Sequence, residues 1–501
     1  MPNAGCPAAR SLQASRRTEK ARRLSIRSVA LALLLSTAAV PAFAQTPGSA
    51  PTPPAASDHG PQQATGAEPE TPEPEPGLLD RDHLLGDPGG LRSRLEAQGI
   101  TLDLQETSEV LGNFSGGIKQ GAVYEGLTQV GLVIDLAKAV NLPGATFNVS
   151  AYQIHGRGLS TNNLFNLNVV SSIEATRATR LFELWYEQSL FNDLVSVRVG
   201  QQAADQEFII SRYAEVFLNA SFGWPALAAE NLPAGGPAYP LATPGVRMKI
   251  APTDNTVFQV GVYNGDPAGA GEGNPELRNH GGTSFLVNDG AFVIAELQDA
   301  INQSEHASGL PGTYKLGGWY NSNLFPDQRY GYDGKPLADP DGVGLPKLHE
   351  SAWSLYGVAD QLIWRKPGTK DNGIGVFARV TGSPGDQNLI SLSANAGVTY
   401  RGILPGRGND TLGIGLAYAR ISGAARGFDA DTGLYSASFA PIRNSETVLE
   451  VTYQCQVTPW LIVQPDFQYV FNPAGGVTNP DNASERIGDA AVFGLRANIV
   501  F

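Results

Sequence analysis

Cysteine, methionine and charge are all scarce in this chain of 501 residues. It has 2 Cys and 2 Met, and charged residues make up 17 %, against about a quarter in an ordinary soluble protein. Two Cys cannot build a disulfide scaffold. Lys and Arg number 35 against 48 Asp and Glu. That balance excludes a nucleic-acid partner, whose affinity would come from cations on phosphates. Long apolar runs are missing except for one near the N-terminus, and each helical membrane span needs about 20 apolar residues, so a polytopic helical protein is excluded. The six His are scattered without ligand spacing. There is no Gly-x-Ser-x-Gly elbow, no His-Glu-x-x-His and no P-loop. No metal, cofactor or catalytic residue is expected. Asp429-x-Asp431-x-Gly433 lacks a full calcium-loop ligand set and is expected to be a solvated turn.

What is present begins with a targeting segment. Arg10, Arg16, Arg17, Lys20, Arg22, Arg23 and Arg27 precede the apolar run Val29 to Val40, and Ala42-Phe43-Ala44 supplies small residues for cleavage. Residues 1–44 therefore have the form of a secretory signal peptide. Its removal would leave Cys455 alone, with 28 Lys and Arg facing 47 acids. Residues 45–76 hold nine Pro and five acids but no Lys or Arg, so a solvated linker is assigned to 45–77. Over 78–98 a short helix is expected, starting at Asp87 or Pro88, with Leu91 and Leu95 on one face and Gly99 ending it.

From 99 to 501 the chain alternates apolar with small or polar residues, the strand period. Sixteen strands are predicted: 100–111, 126–136, 144–155, 180–191, 194–201, 244–251, 255–264, 290–299, 312–322, 351–365, 374–382, 390–400, 411–421, 444–457, 460–470 and 489–501. The segment 207–218 has no clean alternation and is expected to be loop. Connections alternate between a mostly long series (112–125, 156–179, 202–243, 265–289, 323–350, 383–389, 422–443, 471–488) and a shorter one punctuated by Pro and Gly. An even strand count with long loops on one side points to an all-β fold, a 16-stranded antiparallel transmembrane β-barrel of the outer membrane. Closure satisfies every backbone group in hydrocarbon, and sixteen strands leave an aqueous channel. Such a protein has outer-membrane lipid as a partner and its N-terminus in the periplasm.

Several stretches resemble the carbohydrate-selective porins of the OprB family. They are Leu85-Gly86-Asp87-Pro88-Gly89-Gly90-Leu91-Arg92, Glu109-Val110-Leu111-Gly112-Asn113, Gln153-Ile154-His155-Gly156-Arg157-Gly158-Leu159-Ser160, Phe222-Gly223-Trp224-Pro225, Pro237-Ala238-Tyr239-Pro240, Leu310-Pro311-Gly312-Thr313-Tyr314-Lys315, and Pro459-Trp460 through Gln468-Tyr469-Val470. The resemblance covers 79–501, with Pro88 where the family pattern has Trp. It implies passive diffusion of mono- and small oligosaccharides, glucose and related sugars among them. Phe501, a terminal aromatic on an alternating strand, resembles the signal read by the barrel assembly machinery. A general non-selective porin and a barrel hydrolase are the alternatives, and the sequence leaves monomer and homo-oligomer open.

Parity nominates the substrate-binding residues. Val195, Val197 and Val199 face lipid, so Arg198 points inward; Val246, Met248 and Ile250 face lipid, so Arg247 and Lys249 point inward. Glu183, Trp185, Arg379, Glu450 and Arg496 follow by the same rule. Charged side chains suit hydroxyl pairs and aromatic rings suit the apolar sugar face. The longest connection, 202–243, carries Arg212, Trp224 and Tyr239 and is expected to fold inward as a constriction. Arg198 and Arg247 are expected to form a basic rim with Glu183 nearby.

Overall fold

The computed structural model describes residues 77–304, 307–436 and 439–501. The signal peptide over 1–44 and nearly all of the 45–77 linker lie outside the described residues. Sixteen strands close into an antiparallel barrel in sequence order. They are β1 (Ile100–Gly117), β2 (Gly121–Asp135), β3 (Ala145–Gly156), β4 (Ala178–Leu190), β5 (Val195–Gln202), β6 (Thr243–Ile250), β7 (Thr256–Asn264), β8 (Ala291–Ile301), β9 (Gly312–Asn321), β10 (Ala352–Arg365), β11 (Gly373–Gly382), β12 (Ile390–Arg401), β13 (Thr411–Ile421), β14 (Ser445–Thr458), β15 (Leu461–Phe471) and β16 (Gly488–Val500). β16 pairs back onto β1, Arg496 opposite Glu109.

The alternation sorts side chains as the sequence demands. Val199, Val246, Val380, Ile414, Phe493 and Leu495 are exposed on the outer wall, whereas Arg198, Arg247, Gln464 and Gln468 are buried inside. One connection differs from expectation. The first long loop, 112–125, does not exist: β1 runs on to Gly117 and β2 starts at Gly121. The Gly- and Ser-rich run 112–117, which looks like a turn in sequence, pairs with β16 through two bulges. Gly116 and Gly117 adopt positive φ there, the conformation that such bulges ask of glycine. The connection 422–443 also holds a helix, Gly423–Tyr435, capped by Ser422. The Asp429 and Asp431 carboxylates project from it onto Arg443 and Arg329, so the expected solvated turn is a pair of ion-paired helix positions.

The hydrophobic core lies inside the barrel, between the inner wall and two loops folded into it. One cluster gathers Phe208, Ile209, Leu227, Phe292, Trp319 and Tyr356; another gathers Phe217, Phe222, Phe377, Val448, Val470 and Val492. Inward glycines make room for it. A Cβ on Gly375 would lie 2.2 Å from the Tyr213 ring, and one on Gly415 would lie 2.8 Å from Phe217 and Phe222. Aromatic rings of the loop thus rest directly on bare strand backbone.

The predicted short helix spans Leu91–Ala97, after a 3-10 turn at Pro88–Gly90. Asp87 caps it through the Arg92 and Ser93 amides. Leu91 and Leu95 share a groove with Leu102, Leu104 and Phe501. Arg92 donates to the Leu102 and Phe501 carbonyls at 2.9 and 2.7 Å. The Leu84 amide donates to the Val500 carbonyl, and Trp460 Nε1 donates to the Leu78 carbonyl. Residues 78–98 are therefore fastened across the seam between β1 and β16.

Candidate functional site

The connection 203–242 leaves β5, crosses the interior and returns to β6. Inward side chains of far strands hold its backbone. Glu296 on β8 accepts from the Ile209 amide at 2.9 Å. Asp360 on β10 accepts from Ser211 Oγ and from the Arg212 amide at 2.6 and 3.1 Å. Glu450 on β14 accepts from the Leu218 and Asn219 amides, and Gln464 on β15 donates to the Val216 carbonyl at 2.6 Å. Each bond satisfies a loop peptide that has no ladder partner, which is what a buried irregular segment requires.

Arg379 is the most heavily used strut. Its guanidinium donates to the Ile209, Ser221 and Gly223 carbonyls and to Asn395 Oδ1. It is 1 % exposed. Its inward direction agrees with parity, but it binds loop carbonyls and does not border the open lumen. Arg496 likewise turns inward, onto Glu109 and Ser172 Oγ of the connection 157–177.

Arg198 and Arg247 both face inward as parity requires and stand opposite each other in register. They do not form a basic rim. Arg198 lies 2.7 Å from Glu187 and 2.6 Å from Glu207; Arg247 lies 2.9 Å from Glu187 and 3.1 Å from Glu207. Two cations and two carboxylates close a neutral cluster whose arginine side chains are 8 % and 2 % exposed. Arg198 also covers the Trp185 ring, 3.8 Å from its centroid. Glu183 does not join the cluster: it accepts from Trp185 Nε1 at 3.0 Å and from the Ala203 amide at 3.1 Å, fixing the loop where it leaves β5. Glu207 is the partner that sequence reasoning missed, since it sits in a segment without periodicity.

Trp224 and Tyr239 brace the loops. Trp224 Nε1 donates to the Gly235 carbonyl at 3.0 Å. Tyr239 donates to the Ile173 carbonyl at 2.8 Å and packs against Tyr152 and Phe182. It ties 203–242 to the connection 157–177. Burial pushes its phenol well above the ordinary tyrosine range, with Glu276 and Glu125 adding to this.

Two predicted residues keep free charges. Arg212 is exposed, and among the described residues only its backbone amide is held. Lys249 is partly exposed on β6, and among the described residues its amine has no ion pair. Glu215 borders open space beside Arg212. Withdrawal from bulk water pushes its carboxyl up to about 7; Asp360 adds to this, while Arg212 and Lys315 oppose it. Lys315 stands behind them, mostly buried and 3.9 Å from Glu296. These groups have the chemistry to exchange hydrogen bonds with a passing polyhydroxylated solute.

Comparison with known proteins agrees with this architecture. Residues 119–501 match the sequence model of a family described as carbohydrate-selective porin, OprB family. Porin B of Pseudomonas aeruginosa is 26 % identical over 445 residues, covering 83 % of this chain and 91 % of that protein. The high-pH structure of Pseudomonas putida OprB superposes with a TM-score of 0.75 at 24 % identity, covering 85 % of this chain and all of that one. The low-pH structure of the same protein gives 0.52 at 19 % identity, covering 84 % and 99 %.

Proposed function

Because the chain belongs to the OprB family of carbohydrate-selective porins, we propose that it passes mono- and small oligosaccharides, glucose and related sugars among them, through a lumen constricted by the connection 203–242. The protein is a channel of a Gram-negative outer membrane, not an enzyme. The observation that carries the finer reading is the docking of that loop. Glu296, Asp360, Arg379, Glu450 and Gln464 hold it from five strands, and Arg212, Glu215 and Lys249 keep exposed or partly exposed side chains.

A sugar crossing such a point exchanges water for hydrogen bonds of similar strength and leaves again. Arg212 and Lys249 are the donors in this scheme, and Glu215 the acceptor. Arg198, Arg247, Glu183, Trp185, Arg379, Trp224 and Tyr239 act one step behind, by holding wall and loop in place. The N-terminus lies in the periplasm, residues 1–44 are the secretory signal, 45–77 form the linker, and Phe501 is the assembly signal.

Liposome swelling across mono-, di- and trisaccharides, combined with block of ion current by glucose, tests this reading. Saturable block is expected, and Arg212→Ala with Lys249→Ala should weaken it about tenfold, which corresponds to about 1.4 kcal/mol. Flux that falls smoothly with solute size, with no saturation and no response to the double substitution, would identify a general porin instead.

A further inference from the structure

Residues 78–98 stand outside the barrel ladder, yet they carry leucines that the barrel does not cover. Leu78, Leu79, Leu85 and Leu91 are between 49 % and 66 % exposed. Apolar surface left in water is unfavourable by about 25 cal/mol per Å². The segment crosses the rim where β1 begins and β16 ends, on the short-turn side of the barrel. There Leu85, Leu91 and Leu95 meet Leu102, Leu104 and Phe501 and leave a groove of about 170 Å³. A cavity of about 150 Å³ lined by such side chains stays dry and admits a benzene-sized apolar guest. Among the lining residues Arg92 alone has a polar side chain, and its guanidinium is already committed to the Leu102 and Phe501 carbonyls.

The wall side of the groove identifies its occupant. On β1 the row Leu102, Leu104 and Val110 points outward, while Thr107, Glu109 and Leu111 point into the barrel and are buried. Phe501 continues the outward row of Phe493 and Leu495, both about half exposed. The groove is thus the end of the lipid-facing band and does not belong to the channel. Trp460 stands at the same rim, where its indole donates to the Leu78 carbonyl at 2.7 Å, and such amphipathic rings settle at the membrane–water boundary. Charge narrows the choice of lipid. The segment sets Arg81, Arg92 and Arg94 against Asp80, Asp82, Asp87 and Glu96. A polyanionic glycolipid would meet repulsion there. A zwitterionic phospholipid offers an ammonium to Asp82 and Glu96 and a phosphate to Arg94, all three exposed.

We propose that this groove seats an acyl chain of a phospholipid, with residues 78–98 lying in the headgroup layer of the periplasmic leaflet. The site rests on the orientation stated above, N-terminus in the periplasm, and is independent of which solute the channel passes. Native mass spectrometry of the full mature chain, reconstituted with phosphatidylethanolamine and released into mild detergent, should show a phospholipid retained on each chain. Leu102→Trp, which fills the groove from the wall side, should lower that occupancy about tenfold and keep a heat-modifiable barrel. In intact membranes a photo-crosslinking residue at Leu85 of the otherwise wild-type chain should give a phospholipid adduct. The same residue at Asp371, exposed on a short turn of the same rim, should not. Crosslinking decides the matter if Leu102→Trp fails to fold. Loss of lipid from the wild-type chain, no adduct at 85, or an adduct only with lipopolysaccharide or another protein would each overturn the proposal. So would undiminished lipid retention in the folded variant. Protease accessibility of the long loops on whole cells separates a wrong orientation from a wrong site.

Discussion

Arg198 and Arg247, register partners on β5 and β6, share one carboxylate oxygen: Glu187 Oε2 lies 2.7 Å from the first and 2.9 Å from the second. Glu207 closes the ring from the loop side. Like charges side by side on a strand pair would repel; the two carboxylates remove that cost. Taking one cation away leaves the cluster with excess negative charge in a dry site, a loss of about 3–5 kcal/mol. Arg247→Ala should therefore release Glu207 and loosen the start of 203–242, seen as larger and noisier single-channel conductance. Arg247→Met combined with Glu207→Gln should restore quiet, wild-type conductance. Wild-type behaviour of the single variant would show that the cluster does not hold the loop.

Glu215 is expected to make ion selectivity depend on pH. Its carboxyl, pushed up to about 7, is largely neutral at pH 5.5 and charged at pH 8.5. Cation preference, read from the reversal potential in a salt gradient, should rise between those values. Glu215→Gln should flatten the profile. The groups facing it are Asp360, Arg212 and Lys315, and an unchanged profile in the variant would pass the titration to Asp360.

Asp205 should make loop docking depend on pH in the opposite sense. Burial pushes it up to about 7, against the Tyr239 amide that donates to it and with Glu183 adding to the rise. A raised carboxyl stabilises the docked loop fully below the ordinary carboxylate range, and that contribution is lost as pH rises through about 7. Hydrogen exchange in 203–242, corrected for its intrinsic rate, should show less protection at pH 8.5 than at pH 6. Asp205→Asn should abolish the difference.

Topology is open to a direct check. A protease tag at 335–340 or 427–432 should be cut on whole cells, because both lie on the long-loop side, between β9 and β10 and between β13 and β14. A tag at 368–371, between β10 and β11, should be protected. The reverse pattern would invert the barrel.

Much of this was legible in residue order. The run Val195, Val197, Val199 sorts one face to lipid and so turns Arg198 inward, and Val246, Met248 and Ile250 do the same for Arg247. Strand edges fall within one or two residues of those expected, apart from the join of β1 to β2. There Gly, Asn and Ser at 112–117 imitate a turn, and only pairing with β16 shows them to be bulged strand. The use made of inward residues was not legible. Arg379 binds backbone carbonyls of a loop more than 150 positions away, and a carbonyl has no letter in a sequence. Parity tells which way a side chain points. Whether it meets water or another segment depends on where an aperiodic loop settles.

The fastening of residues 78–98 across the seam has a consequence for the order of assembly. Arg92 meets the Phe501 carbonyl across 409 positions, and Leu84 meets Val500. Neither acceptor is in place until β16 has closed onto β1, so the segment that leaves the ribosome among the first is seated among the last. Until then its leucines and the Leu102, Leu104 and Phe501 groove remain open to one another's absence. Closure of the ring creates the seat, and the seated segment in turn locks the ring, so a barrel halted one strand short would show an untethered N-terminal arm.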